Sequence, residues 1–197
     1  MQTQSKIRLA LPSDEAEIIR LLTMLHAENG MQRMDVDCVR EVLARAFDRK
    51  GGIIGVIGAP GHIRAMICLQ LTNQWYTRDT HIEELFSWVH PDHRQSDYAR
   101  LLIEFAKKQS DDISKRAGEK IPLFLGILTN TRMSAKVRLY RRFFGMPFGA
   151  IFLYNAVWVK KEEICTEDFW RVPSLAKRLF KREERKGWRD QRRVRVS

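Results

Sequence analysis

Cysteine is scarce and scattered. Cys38, Cys68 and Cys165 are the only three in 197 residues. An odd, unclustered set argues against a disulfide framework and against a cysteine-rich zinc site, and leaves three core or surface thiols. Long apolar runs are also missing: no segment approaches the roughly 20 consecutive apolar residues of a membrane span, so no membrane partner is expected. Met1 to Lys6 is polar and lacks the charged-then-apolar layout of a secretory leader, which makes the cytoplasm the expected compartment. No internal repeat and no low-complexity tract is visible. What remains is a chain with 44% hydrophobic residues, enough for a core, and a length that suits one domain with an appendage.

Charge is abundant and uneven. The formal net charge is +11, yet residues 171–197 hold 11 Lys/Arg against three Asp/Glu, and residues 1–170 hold 24 against 21. The body is therefore close to neutral and the basicity belongs to the tail. Such a tail either meets a polyanion, nucleic acid among them, or serves as a solubilising, partly helical appendage. Pro173-Ser174 reads as a helix start, with Leu175, Ala176, Leu179 and Phe180 on one face among the cations. The division expected is a domain over 1–160 and a basic extension over 161–197.

Periodicity orders the rest. A short strand over Lys6–Leu11 is broken by Pro12, and Ser13 offers an N-cap for a helix carrying Ile18, Leu21, Leu22 and Leu25 at helical spacing. Asn29-Gly30 ends it. A second helix is predicted from Asp35 to Arg49, stopped by Gly51-Gly52. Three apolar strands follow, Ile53–Ile57, Ala65–Leu71 and Ile82–Val89, the first two joined through a Gly58–Gly61 hairpin turn. A long helix over Asp97–Ala117 should bury Tyr98, Leu101, Leu102, Phe105 and Ile113. Then come a strand, Leu123–Leu128, a helix carrying Val137, Leu139, Tyr140 and Phe143, and a last strand, Ile151–Val159. Hairpins followed by strand–helix–strand units predict an α/β fold on a mixed sheet, antiparallel first and parallel at its centre.

The stretch richest in chemistry is Glu83-Glu84-Leu85-Phe86-Ser87-Trp88-Val89, its turn His90-Pro91-Asp92-His93, and Arg94-Gln95-Ser96-Asp97-Tyr98-Ala99. A strand that runs straight into a helix leaves convergent N–H groups at the positive end of the helix dipole, which is an anion site. Residues 94–99 supply that cradle, and Arg94 adds a charge; the alternative is a strand–turn–helix without a ligand. His90 and His93 suggest a metal, but nothing supplies two more ligands at a recognisable spacing, so none is expected. Ser87 and Ser96 have no base–acid pair near them in sequence, so they are not read as nucleophiles.

With these residues in view, the chain resembles the GNAT family of acyl-CoA-dependent N-acyltransferases from Lys6 to about Val159. The family's pyrophosphate turn reads Gln/Arg-x-x-Gly-x-Gly/Ala; here Arg94 and Ala99 match it, Asp97 stands where the glycine falls, and Val89-His90-Pro91 precedes it. The resemblance implies coenzyme A contacts at Val89, Arg94, Gln95, Ser96, Asp97, Tyr98 and Ala99. It also implies a second cofactor segment from Asn130 to Gly145. In that segment Tyr140 is the counterpart of the family's general acid, while Met133 and Lys136 stand where Asn and Ala usually fall. Its general-base glutamate corresponds to Glu83, with Glu84 beside it on the opposite face of the strand; either one is a candidate base, and the alternative is a solvated pair at a strand start. Carbonyl polarisation would come from a backbone N–H of the same strand.

The activity expected is acyl transfer, with acetyl-CoA as donor, to an amine that attacks directly in a ternary complex. The alternative is a non-catalytic protein of the same fold that binds nucleic acid through its tail. Arg132, Lys136, Arg138, Arg141 and Arg142 serve either reading: they extend a nucleic-acid surface, grip the coenzyme's 3′-phosphate, or form a solvated helix face. The acceptor pocket is expected to draw on Met31, Met34, Trp75, Tyr76 and Phe148.

Overall fold

A computed structural model describes residues 7–30, 33–129, 131–147 and 149. The predicted last strand, the tail, the 160/161 boundary, Asn130, Met31, Phe148 and Cys165 lie outside these residues. The elements in order are β1 (Ile7–Leu9), a 3-10 turn (Pro12–Asp14), α1 (Glu15–Asn29), α2 (Val36–Phe47), β2 (Gly52–Ala59), β3 (His62–Asn73) and β4 (Thr80–Val89). A second 3-10 turn (Pro91–His93), α3 (Tyr98–Ala117), β5 (Leu123–Phe124) and α4 (Met133–Phe144) complete them.

The sheet runs β1-β2-β3-β4-β5, antiparallel throughout except for the parallel β4–β5 pair. This is the mixed sheet the sequence predicts. Consecutive apolar residues in β2 and β3 suit strands covered on both faces, where both side-chain directions are buried. One face packs Val56, Met66, Cys68 and Trp88 against Ile18, Leu21, Leu22 and Leu43 of α1 and α2. The other packs Ile57, Ile67, Leu69 and Ile82 against Tyr98, Leu102 and Ala106 of α3. Each fully buried aliphatic side chain contributes about 1.5–3 kcal/mol. Gly55 lets α3 approach closely, because a Cβ there would stand 2.6 Å from the Phe105 ring.

Three expectations are corrected. Ser13 does not cap α1: the helix begins one residue later than that cap would set it, and the fully buried Asp14 accepts from the Leu11 N–H (2.8 Å). Asp14 also accepts from Arg8 Nη1 (2.6 Å) and Nη2 (2.9 Å), while Arg8 Nε reaches the Gly58 carbonyl (2.9 Å). The carboxylate thus joins β1, β2 and the entry to α1. α2 ends at Phe47, with Arg49 in the left-handed region (φ 56°), before the glycines are reached. The fifth strand is two residues long rather than six.

The Arg8 guanidinium and the Leu11 N–H hold the Asp14 carboxyl below the usual carboxylate range. A depressed folded-state value means that the stabilisation is complete above the unfolded value, about 3.9, and is lost as pH falls through the folded one. Asp14→Ala should therefore destabilise the fold by about 2–3 kcal/mol at neutral pH, the worth of charged hydrogen bonds. In denaturant titrations the gap from wild type should persist down to about pH 4 and shrink below it.

Candidate active site

Two features of β4 make the site. The β3–β4 register shifts between Cys68 and Leu69: Cys68 faces Phe86 and Leu69 faces Glu84, so Leu85 is the extra residue of a bulge. On the other side, β4 pairs with β5 only at Ile82–Leu123 and Glu83–Phe124. Beyond that point residues 84–89 and 126–128 line a cleft of about 850 Å³, closed by α1, α2, the start of α3 and α4.

Inside it, the Tyr140 hydroxyl donates to Glu84 Oε2 (3.2 Å). Burial pushes the Glu84 carboxyl up to about 7, against the opposing pull of the Tyr140 hydrogen bond and the nearby Lys136. Burial, with the neighbouring carboxylate, holds the Tyr140 phenol well above its ordinary value, and a hydrogen bond with Ser87 opposes this. Burial lowers the Lys136 ammonium, which Glu84 and Glu28 partly offset. A carboxyl poised near neutrality beside a phenol that stays protonated is an acid–base pair. The alternation of β4 brings Glu84 to this pair; Glu83, the residue indicated by the resemblance, pairs across the sheet with Gln70 and Phe124 and does not line the cleft.

The turn after β4 is built as a strand-to-helix junction. The Tyr98 N–H meets Ser96 Oγ (3.3 Å), whose hydroxyl donates to the His93 carbonyl (2.6 Å). The carbonyl of Asp97, the N-cap, accepts from the Leu101 N–H (3.0 Å), so the Ala99 and Arg100 amides precede the helical ladder. Asp97, which replaces the family's glycine, does not cap α3 with its side chain; its carboxylate pairs with Arg100 Nη2 (2.6 Å). Arg94 does not point at an empty cradle either. Its Nη2 binds Glu28 Oε2 (2.6 Å), its Nε donates to the Val89 carbonyl (3.3 Å), and its guanidinium lies 5.7 Å from the Trp88 ring centre. Trp88 Nε1 donates to the same Glu28 (3.1 Å).

Of the residues singled out in the sequence, Glu84, Val89, Arg94, Ser96, Asp97, Ala99 and Tyr140 line the cleft together; Gln95 and Tyr98 do not, and Tyr98 packs in the core beneath α3. Trp75 and Tyr76 are exposed on the β3–β4 connection, away from the lining, whereas Met34 is part of it. Of the α4 cations, Arg132, Lys136 and Arg142 face the cleft and Arg138 and Arg141 do not. Among the described residues, no three His, Cys, Asp or Glu side chains gather as a metal site.

Sequence reasoning missed Glu28 and Thr129, and it read Lys136 as one of the α4 cations rather than as a neighbour of Glu84. Glu28 had a signal: it continues the apolar stripe Leu21-Leu25 at the next helical step, where a carboxylate is out of place unless it has a partner. Lys136 stands one turn before Tyr140 on the same face. Thr129 is buried, and its hydroxyl joins Asn29 Oδ1 (2.7 Å) and the Thr131 carbonyl (2.8 Å), tying the loop after β5 to the end of α1. No spacing announces it.

No family model and no curated protein matches the sequence. Solved structures do match. An acetyltransferase from Trypanosoma brucei superposes with a TM-score of 0.53 at 17% identity, over 76% of this chain and 98% of that one. Ribosomal-protein-alanine N-acetyltransferase from Brucella melitensis biovar Abortus 2308 gives 0.51 at 16%, over 76% and 98%. AAC(6')-Iy, in complex with the bisubstrate analog CoA-S-monomethyl-acetylneamine, gives 0.57 at 12%, over 78% and 98%. The chain has the GNAT acetyltransferase fold. Within a GNAT fold, the bulged β4, its divergence from β5 and the turn into α3 form one continuous wall, and the Glu84–Tyr140 pair stands across its opening.

A hydrogen bond donated to a carboxylate favours its ionised form, so removing the phenol hydroxyl should move Glu84 upward. In carboxyl-carbon NMR titrations, Tyr140→Phe should shift the Glu84 midpoint above its value of about 7. An unchanged midpoint would show that the hydroxyl does not hold the carboxylate in solution.

Proposed function

We propose that this protein is an acyl-CoA-dependent N-acyltransferase, with acetyl-CoA as the donor and an amine as the acceptor, reacting directly in a ternary complex. The observation that carries the reading is the Glu84–Tyr140 hydrogen bond at the opening between β4 and β5, in a fold shared with acetyltransferases. The residues present suit a coenzyme A thioester. Arg100, Arg132, Lys136 and Arg142 line the same cleft as the first-turn amides of α3, and a polyanionic pyrophosphate and 3′-phosphate need such partners. Arg94 contributes to that side as well, while Glu28 holds it in place. Asp97 is compatible because Arg100 neutralises it.

In this reading Glu84 accepts a proton from the acceptor amine as nitrogen bonds to the thioester carbonyl carbon. Tyr140 donates its proton to sulfur as the carbon–sulfur bond breaks. Glu84, now protonated, no longer repels negative charge on the Tyr140 oxygen, which eases that donation. The proton then returns from Glu84 to Tyr140 across their 3.2 Å contact, and the pair is restored. One proton has moved from nitrogen to sulfur. The N–H groups of β4 beyond Glu83 lie where the β5 ladder has ended, and they supply donors for the carbonyl oxygen.

The nucleic-acid alternative rests on residues 171–197, outside the described residues, and the orientation of Arg132, Lys136 and Arg142 into the cleft favours the coenzyme reading over it.

Glu84→Gln should lower kcat by about 10²–10⁴-fold, the range for general acid–base groups, and leave the acetyl-CoA Kd nearly unchanged. Because the base must be ionised, wild-type kcat/KM should rise with pH and level off above a midpoint of about 7. Thiol-release assays across pH 5–9, roughly the span in which such a carboxyl titrates, check both. A rate indifferent to Glu84→Gln would remove it from the reaction.

A further inference from the structure

The cleft is divided by charge. Among the described residues, the five Lys/Arg side chains that line it, Arg94, Arg100, Arg132, Lys136 and Arg142, come from the turn after β4, α3 and α4 with the residue before it. The wall formed by α1, α2 and the loop between them is mostly apolar, with Leu22, Leu25, Val39, Val42 and Leu43; His26, Asn29 and Cys38 are its other polar members, and Glu28 is its one acidic side chain among the described residues. That carboxylate is already engaged: Arg94 Nη2 lies 2.6 Å from Oε2 and Trp88 Nε1 donates to the same oxygen at 3.1 Å. Asp97 is paired with Arg100 at the turn. Among the described lining residues, only Glu84 is left to face an incoming ammonium; the ammonium gives its first proton to solvent, and the neutral amine then gives its second to Glu84 as it attacks.

We infer that the acceptor is a primary amine with a single positive charge on an apolar body, aliphatic or aromatic, and that polycationic amines are poor substrates. The inference rests on the acyl-transfer reading above and narrows it. A second ammonium entering the cleft would lose water against a mostly apolar wall with no unengaged carboxylate among the described residues to compensate, and would meet the field of the facing cations. An alkyl or aryl body instead gains by covering Leu25, Val39 and Val42. The aminoglycoside acetyltransferases among the similar structures share the fold, but a shared fold does not carry the acceptor.

The test uses the full chain at saturating acetyl-CoA, following thiol release with butylamine, hexylamine, phenethylamine, spermine and kanamycin. A parallel calorimetric titration measures acetyl-CoA affinity alone. KM should fall by about three- to four-fold per methylene from butylamine to hexylamine, the burial worth of a CH₂. Spermine and kanamycin should show kcat/KM values at least about ten-fold below hexylamine, the least an uncompensated charge should cost. Val39→Asp should raise the hexylamine KM by about ten-fold or more and improve 1,6-diaminohexane relative to it, while the acetyl-CoA Kd stays put and reports a folded cleft. Equal or better turnover of spermine or kanamycin overturns the inference. So does coenzyme binding with no turnover of any apolar amine. Absence of acetyl-CoA binding would instead overturn the acyl-transfer reading itself, and this inference with it.

Discussion

After the Glu83–Phe124 pair the parallel ladder between β4 and β5 stops, and the two chains separate. A sheet normally continues because an unpaired strand edge leaves N–H and C=O groups without partners. Here β4 runs on to Val89 with its far edge facing a cleft, so its backbone polarity is available to a ligand. The bulge at Leu85 lies at the same place and changes which side chains reach that edge. The Glu84–Tyr140 pair, the turn into α3 and the apolar wall of α1 and α2 are all arranged around this gap.

Keeping a gap open inside a small domain requires its rims to be held from outside the sheet. The Arg94–Glu28–Trp88 cluster fastens the turn after β4 to the end of α1, and Thr129 fastens the loop after β5 to the same helix end through Asn29. Tyr140 bridges from α4 to Glu84. Each contact crosses the cleft wall from one element to another, and each involves a polar group that would be costly to bury alone. The same burial that makes these groups dependent on one another shifts Glu84 toward neutrality and keeps Tyr140 protonated. The contacts that hold the rims and the shifts of Glu84 and Tyr140 therefore have one electrostatic origin.

Much of this was legible beforehand, and the misses have physical reasons. Strand order and sheet type followed from hairpin signals and from the apolar runs of β2 and β3, because periodicity and turn chemistry are local. The β5 strand was overestimated because Leu125 and Ile127 are as apolar as Leu123; what ends the ladder is the divergence from β4, a tertiary event. Ser13 was a reasonable cap by composition, but Asp14 was recruited by Arg8, 6 residues earlier on a neighbouring strand. At the site, motif resemblance pointed to the turn, Tyr140 and the glutamate pair, and the structure brings Tyr140, Glu84 and part of the turn to one cleft. It left Glu83 and Glu84 both as candidates, and only the structure separates them, because the position of the bulge at Leu85 leaves no mark in residue type. Glu28 escaped because its partners, Trp88 and Arg94, are 60 and 66 residues away.

Fold and chemistry converge on one placement for the reacting group, and a crystal structure of the full chain with acetyl-CoA measures it directly. The account predicts the pantetheine arm between β4 and residues 126–128, the thioester carbonyl on a β4 N–H beyond Glu83, and the sulfur within hydrogen-bonding reach of the Tyr140 hydroxyl. Coenzyme bound outside the gap, or inside it with the sulfur remote from both Tyr140 and Glu84, would contradict it.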